Sequence, residues 1–318
     1  MFFFLAGFAF VSATYRRDDQ AQIVGWPLRR FGRFAVFLLI GYVLYSPVAK
    51  LNHISLVTAD KWQAFLGVDA LQCLAVTLAL LQLFALSVRT RMQFLILTLI
   101  TCVTVVALTP AVWRANWEAV LPAALAAYMT PQGGSLFPVF PWSAYSLLGA
   151  ALGAIYVGTN HVGGFSMRVL GAGGVTMVTA SLVGSLLPWQ PLGSTDFWST
   201  SPNQFLLRGG LVCVGIGLVA HVSRRLSRLP DALNALARQS LLVYAVHLCV
   251  VYGSAWNRGL RSWYGQTLAF GPAVAWVILL WASVISLAYG WHSCKLRNPK
   301  TAQWNTQAAA LGLVGRLL

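Results

Sequence analysis

The stretch VFPWSAYSLLGAALGAIYVGT, at positions 139–159, contains no charged residue. It has the length of a membrane-spanning helix, because about 20 apolar residues cross the hydrocarbon core of a bilayer. Eight further stretches are also apolar enough to lie in lipid. The sequence therefore predicts an all-α, polytopic transmembrane helix bundle of about nine spans. We place these spans at 1–15, 32–49, 67–88, 92–112, 139–159, 168–187, 205–222, 238–256 and 269–290.

The composition indicates that lipid, rather than water, surrounds these segments. Hydrophobic residues make up 58% of the chain and charged residues 9%, whereas a soluble domain carries about 25% charged residues. The loops are too short for a separate soluble domain, so we expect one membrane domain over 1–318 with a cytoplasmic tail at 291–318. A shorter apolar segment at 117–129 contains Glu118 and Pro122, which favours a short interfacial helix over a crossing.

The basic residues that give the chain its formal charge of +15 lie mostly in loops on one side of the predicted membrane. The sixteen basic residues in one set of alternate loops are Arg16, Arg17, Arg29, Arg30, Arg33, Arg89, Arg91, Arg168, Arg224, Arg225, Arg228, Arg238, Lys295, Arg297, Lys300 and Arg316. The six in the other set are Lys50, Lys61, Arg114, Arg208, Arg258 and Arg261. The side with sixteen is predicted to be cytoplasmic, as is the C-terminus. No basic run interleaved with aromatic residues points to nucleic acid, so we expect membrane lipids, and not nucleic acid, as partners.

Several kinds of catalytic centre are missing from the sequence. The five cysteines form neither a CxxC nor a Cys/His ligand spacing, so they are interpreted as small buried hydrophobic residues rather than metal ligands or disulfides. No GxSxG, HExxH or Walker motif occurs. We therefore expect no metal and no bound cofactor.

Ionisable groups inside a bilayer are costly and are functional candidates for that reason. Asp69 and Gln72 lie in GVDALQC at the outer entrance of the third span, three residues apart and so on one helix face. Asp69 could act as a base or bind a hydroxyl. It could equally be a helix-start carboxylate that the helix dipole favours.

His247 lies near the middle of the eighth span, with Tyr244 one turn before it on the same face. A histidine there could act as a base or proton relay. The alternative is a neutral histidine that makes one hydrogen bond between helices.

Arg208 follows the start of the seventh span by a few residues and precedes a glycine pair. It could extend back to the lipid headgroups, or bind a carboxylate or phosphate inside the bundle. Trp142 belongs to a group of tryptophans at the same predicted outer level. These are either interfacial belt residues or surfaces on which a sugar stacks.

Five segments, taken together and in order, resemble the heparan-α-glucosaminide N-acetyltransferase catalytic-domain family of the bacterial transmembrane acyltransferase superfamily. They are FFFLAGFAFVSATYRR (2–17), GVDALQCLAV (67–76), FPVFPWSAYSLLGAALG (137–153), SPNQFLLRGGLV (201–212) and ARQSLLVYAVHLCVVYGS (237–254). The resemblance implies transfer of an acyl group from a cytoplasmic thioester to a sugar across the membrane. Family members begin with an additional helix that carries a catalytic group, and this chain begins after it, so we expect the sequence to be truncated. A short first span with its N-terminus outside is the other interpretation.

The resemblance therefore predicts a multi-pass acyltransferase of the bacterial inner membrane. The catalytic candidates are His247 and Asp69, and Gln72, Arg208, Tyr244 and Trp142 are the substrate-binding candidates. Acetyl-CoA or another acyl-CoA would be the co-substrate, an envelope sugar or glycan the acceptor, and a homodimer is left open. Two alternatives remain: a transporter or exporter of a small molecule, because polar residues in spans also mark substrate paths, and a non-catalytic remnant.

Overall fold

A computed structural model describes residues 1–15, 27–159, 162–186, 196–225, 231–265 and 267–297. The described residues are 80% helical, and strands among them are limited to one antiparallel hairpin, β1 (Gly253–Ser254) and β2 (Asn257–Arg258). The predicted all-α class is confirmed. The basic residues Arg16, Arg17, Arg228, Lys300 and Arg316, the side chain of Arg29, and 298–318 of the predicted tail lie outside the described residues.

The first half of the chain contains α1 (Phe2–Thr14), α2 (Pro27–Leu44), α3 (Ala59–Leu66), α4 (Ala70–Ser87), α5 (Arg91–Arg114), α6 (Ala123–Ala126) and α7 (Val139–Val157). The second half contains α8 (Val162–Gly164), α9 (Gly173–Leu186), α10 (Pro202–Ser223), α11 (Asp231–Arg238), α12 (Ser240–Val251), α13 (Leu260–Tyr264) and α14 (Phe270–Arg297). Single 3₁₀ turns occur at Leu51–Leu56, Trp117–Ala119 and Pro131–Gly133, and a π-helix at Phe165–Ala172 leads into α9.

Six helical segments of the described residues are long and apolar enough to cross a membrane. They are Ala59–Ser87, Arg91–Arg114, Val139–Val157, Phe165–Leu186, Pro202–Ser223 and Phe270–Arg297. The pair α11 and α12, which meet at a bend of 79°, makes a seventh if it is one span. All nine predicted spans contain helix, but α1 has only 13 residues. At 1.5 Å per residue it covers about 20 Å of a hydrocarbon core of about 30 Å.

Two predicted boundaries need correction. The span predicted at 238–256 includes residues 253–256, which form the hairpin and not helix. Gly253 has φ +86°, a left-handed conformation that ends a helix. The interfacial helix predicted at 117–129 is divided into a 3₁₀ turn and the four-residue α6.

Contacts within the chain divide it into two compact units, Met1–Gly41 with Leu66–Arg225, and Tyr42–Phe65 with Leu226–Leu318. The prediction of a single domain over 1–318 stays a prediction. In the first unit α7 is central and packs against α1, α4 and α5, while α9 packs against α10. Small residues allow this: Gly149 lies against the backbone of Phe4, and Gly210 against that of Gly174.

Backbone hydrogen bonds join the start of α4 to the segment that precedes α7. The Val68 amide donates to Ser135 Oγ at 2.9 Å, and the amides of Leu136 and Phe137 donate to the Val68 carbonyl at 3.0 Å each. Ser135 Oγ in turn donates to the Ala127 carbonyl at 2.6 Å. These bonds set the position of the first turn of α7.

In the second unit, α14 packs against α11 and α12. Lys295 Nζ of α14 donates to Gln239 Oε1, between α11 and α12, at 3.2 Å. The other face of α14 is apolar and exposed, as at Val277, Ile278 and Trp281. Such a continuous apolar face suits lipid contact.

Candidate functional site

A pocket of about 240 Å³ lies in the first unit, where the end of α5 and the starts of α7 and α10 meet. We call it the tryptophan pocket. Its lining residues are Trp113, Pro131, Leu136, Pro138, Pro141, Trp142, Tyr145, Trp198, Ser199, Gln204 and Arg208. Two predicted site residues, Trp142 and Arg208, therefore line the same pocket.

The tryptophan rings are held by specific contacts. Trp113, the penultimate residue of α5, donates from Nε1 to the Phe140 carbonyl at 2.9 Å. Trp142, in the first turn of α7, packs edge-to-face on Phe137 with ring centres 4.8 Å apart. Both residues remain partly exposed, and both line the pocket.

Arg208 lies in the second turn of α10 and is half-buried. Its Cζ is 5.8 Å from the ring centre of Trp142, a distance at which a cation is attracted to an indole face. The glycine pair that follows allows close helix packing: a Cβ on Gly209 would lie 3.0 Å from Met177 Cε, and one on Gly210 2.6 Å from the Gly174 carbonyl oxygen.

Tyr145 is a buried polar residue beside Arg208, with 6% of its surface exposed. Its ring centre is 5.8 Å from that of Trp142 and 4.9 Å from that of Phe205. The hydroxyl makes no hydrogen bond of good geometry among the described residues, and the group close enough to donate to it is the Arg208 guanidinium. A buried hydroxyl in this state can still bind a ligand.

Gln204, which is 2% exposed, closes one side of the pocket. Its amide donates to the Trp198 carbonyl, which fixes the segment before α10 against that helix. Ser199 Oγ donates to Asp196 Oδ2 at 2.5 Å, so that carboxylate is occupied by its own loop.

Asp69 and Gln72 do not line the tryptophan pocket. Asp69 is the N-cap of α4 and forms a capping box with Gln72, whose Oε1 accepts from the Asp69 amide at 3.3 Å. The geometry thus places Asp69 in the helix-start position that was the alternative to a site role. Gln72 is fully buried against Gly41 of α2, and its Nε2 has no partner among the described residues.

His247 and Tyr244 belong to the second unit and lie in α12. Their rings contact edge-to-face at 5.3 Å, and His247 Nδ1 is 3.2 Å from the Val243 carbonyl oxygen. A proton on Nδ1 would be held by that carbonyl, which leaves Nε2 as a base. The catalytic role of His247 stays a prediction.

Within the described ranges, no three His, Cys, Asp or Glu side chains come together as metal ligands. Tyr145 and Gln204 were not predicted from the sequence as site residues, and Trp113 and Trp198 are two of the tryptophans at the predicted outer level. Tyr145 lies three residues after Trp142, so both point to one helix face, and that spacing was the available signal.

Comparison with known protein families identifies the family of this chain. The model of the family described as "Heparan-alpha-glucosaminide N-acetyltransferase, catalytic" matches residues 1–189, which is more than half of the 318 residues. No curated protein and no solved structure matches the chain. The matched range includes α1 to α9 and, with them, Trp113, Trp142 and Tyr145. The chain therefore belongs to the heparan-alpha-glucosaminide N-acetyltransferase catalytic family, a family of membrane acetyltransferase-type function.

Proposed function

We propose that the protein transfers an acetyl or other acyl group from cytoplasmic acyl-CoA to a sugar or glycan of the cell envelope. In this proposal it lies in the cytoplasmic membrane of a bacterium as a multi-pass protein with a cytoplasmic C-terminus. Family membership supports the transferase class. The single observation that supports a sugar as the acceptor is the tryptophan pocket, which combines aromatic rings with one cation.

Sugars suit such a pocket because their C–H faces stack on aromatic rings while their hydroxyls reach polar groups at the edge. The partly exposed rings of Trp113 and Trp142 provide the faces, and Arg208 and Tyr145 provide the polar edge. The volume of about 240 Å³ lies below the roughly 300–1,000 Å³ of pockets for drug-sized ligands. It suits one sugar ring and is too small for a coenzyme A molecule.

The chemistry needs a base that takes the proton of the acceptor amine or hydroxyl as it attacks the thioester carbonyl. The carbonyl carbon gains the acceptor atom, the C–S bond breaks, and the thiol leaves with a proton. His247 and Asp69 are the proposed bases, and a positioned base contributes about 10²–10⁴-fold. On the cytoplasmic side, we propose that arginines such as Arg30, Arg33 and Arg224 attract the coenzyme A phosphates.

The direct test uses the purified chain in lipid nanodiscs with radiolabelled acetyl-CoA and a panel of sugars with free amines or hydroxyls. Label should appear in the sugar product. Trp142→Ala should raise the KM for the acceptor at least tenfold and leave the KM for acetyl-CoA unchanged. Trp263→Ala is the matched control, because Trp263 is 74% exposed and does not line the pocket.

One observation favours the alternative of a transporter. The bend of 79° between α11 and α12 makes a discontinuous helix, which is common at transport sites. Proteoliposomes distinguish the two functions: accumulation of an unmodified substrate with no labelled product would establish transport and contradict the acyltransferase.

A further inference from the structure

The described residues that line the tryptophan pocket carry a positive charge and no negative charge. Arg208 is the one charged residue among the described residues that line it, and no lining residue carries a carboxylate. Asp196, in the segment before α10, does not line the pocket. The half-buried guanidinium lies against the Trp142 ring and beside the Tyr145 hydroxyl, so it has lost part of its hydration to neutral groups, and this favours binding of an anion.

A second group points to the same ligand chemistry. Tyr145 lines the pocket. Its buried hydroxyl has no acceptor for its proton among the described residues, because its close polar neighbour, the Arg208 guanidinium, only donates. A phenol can donate one hydrogen bond, and a guanidinium only donates. Two donors beside each other suit an oxygen that accepts from both, as in a carboxylate, phosphate or sulfate, whereas an ammonium group would be repelled by Arg208.

The remaining lining is suited to a ring rather than to a free ion. Trp113, Trp142 and Trp198 surround a volume of about 240 Å³, which is several times larger than an isolated anion needs because a water molecule occupies about 30 Å³. The ligand must therefore fill apolar space as well as place an anionic group at Arg208.

We propose that the tryptophan pocket selects acceptors whose sugar ring carries an anionic group, with Arg208 and the Tyr145 hydroxyl binding that group. This inference rests on the proposed function and names the substrate class of the same site. Arg208 is then a specificity-determining residue that distinguishes charged from neutral sugars.

The test measures binding without turnover, on the full chain in nanodiscs, by scintillation proximity with radiolabelled glucosamine 6-phosphate. Unlabelled glucosamine, glucosamine 6-sulfate, glucuronate and inorganic phosphate are the competitors. The anionic sugars should bind at least tenfold more tightly than glucosamine, which corresponds to about 1.4 kcal/mol. Inorganic phosphate should compete at least tenfold less well than glucosamine 6-phosphate.

Arg208→Gln should remove the discrimination, and Arg208→Lys should retain part of it because the charge stays while the fork of donors is lost. Tyr145→Phe keeps the ring contact with Phe205 and should weaken the binding of anionic sugars several-fold. Arg258→Gln is the control, since Arg258 is exposed and lies outside the pocket. Thermal unfolding of each variant confirms that it is folded.

Equal affinity for glucosamine and the anionic sugars, or unchanged discrimination in Arg208→Gln, would overturn the inference. Inorganic phosphate that competes as well as glucosamine 6-phosphate would also overturn it, because the pocket would then bind free anions. Retained discrimination in a chain that transfers no acetyl group would contradict the proposed function and leave the inference standing. Transfer at equal efficiency to neutral and anionic sugars would contradict the inference and support the proposed function.

Discussion

The contact between α1 and α7 is the closest helix packing of the first unit and gives a graded prediction. An added Cβ on Gly149 would lie 2.8 Å from the Phe4 carbonyl carbon, and one on Gly7 2.8 Å from the Ser146 carbonyl carbon. Ordinary contact begins at 3.4 Å, so each alanine must separate the helices by at least 0.6 Å, the difference between the two distances. Closely packed interiors resist such shifts, at a cost of about 1–3 kcal/mol for each inserted methyl.

The same separation would lengthen the hydrogen bond from Ser146 Oγ to the Phe3 carbonyl, now 2.9 Å. Hydrogen bonds between membrane helices contribute about 0.6 kcal/mol on average. Relative to Gly215→Ala, which has the same gain in helix propensity and whose Cβ would meet nothing within 4 Å, we therefore expect Gly149→Ala and Gly7→Ala to lower the unfolding temperature by roughly 2–12 °C, at 2–4 °C per kcal/mol. Gly153→Ala should have a smaller effect, because its Cβ would lie 3.1 Å from the Phe8 carbonyl oxygen.

Buried thiols provide the assay. Cys73, Cys102 and Cys213 are free and buried, so a fluorogenic thiol reagent reports unfolding as they become accessible during heating. Gly215→Ala is the matched control, because its Cβ would meet nothing within 4 Å, and a helical alanine is favoured over glycine by about 1 kcal/mol. If Gly149→Ala unfolds at the same temperature as Gly215→Ala, the close packing of α1 and α7 is wrong.

Three further predictions concern single residues. Thr90→Ala should cost about 1 kcal/mol of stability by removing the N-cap of α5, whereas Thr179→Ala, exposed in the middle of α9, should cost less than half of that in the same thiol assay. Arg30→Ala should lower the unfolding temperature more than Arg33→Ala, because Arg30 donates to the end of α1 at 2.6 and 2.9 Å and Arg33 is exposed; equal temperatures would refute this role. His247→Ala should abolish acetyl transfer, measured with labelled acetyl-CoA, without reducing the amount of folded protein, and retained turnover would exclude His247 as the base.

Much of the fold follows from hydropathy, because a bilayer requires each crossing to satisfy its own backbone hydrogen bonds. The charge-free stretch 139–159 forms α7 over Val139–Val157. Hydropathy fails where a local hydrogen bond competes with the helix. After α12, Asn257 Nδ2 donates to the Cys249 carbonyl at 2.7 Å and Gly253 takes a left-handed conformation. Residues 253–256 are apolar enough to extend a span, so composition alone cannot reveal the hairpin.

Only some of the residues that line the tryptophan pocket could be predicted from the sequence. Trp142 and Arg208 stood out as an aromatic and a cation at the same predicted membrane level. Their proximity depends on how α7 and α10 pack across 65 intervening positions, and no local pattern encodes that packing. Tyr145 looked like one more aromatic residue in a span, and only the structure shows that its hydroxyl lies unsatisfied beside a guanidinium.

Asp69 is the residue for which a structural and a catalytic role are hardest to separate, and its position suggests how to do so. Asparagine caps a helix about as well as aspartate, whereas alanine at an N-cap costs about 1 kcal/mol. Asp69→Asn should therefore unfold at the wild-type temperature and Asp69→Ala several degrees lower. Only the charge is lost in Asp69→Asn, so a role as base requires acetyl transfer to fall at least a hundredfold in this stable variant. Full transfer by Asp69→Asn, with the stability loss confined to Asp69→Ala, would show that the carboxylate serves only to start α4, and His247 would then be the base that remains among the proposed residues.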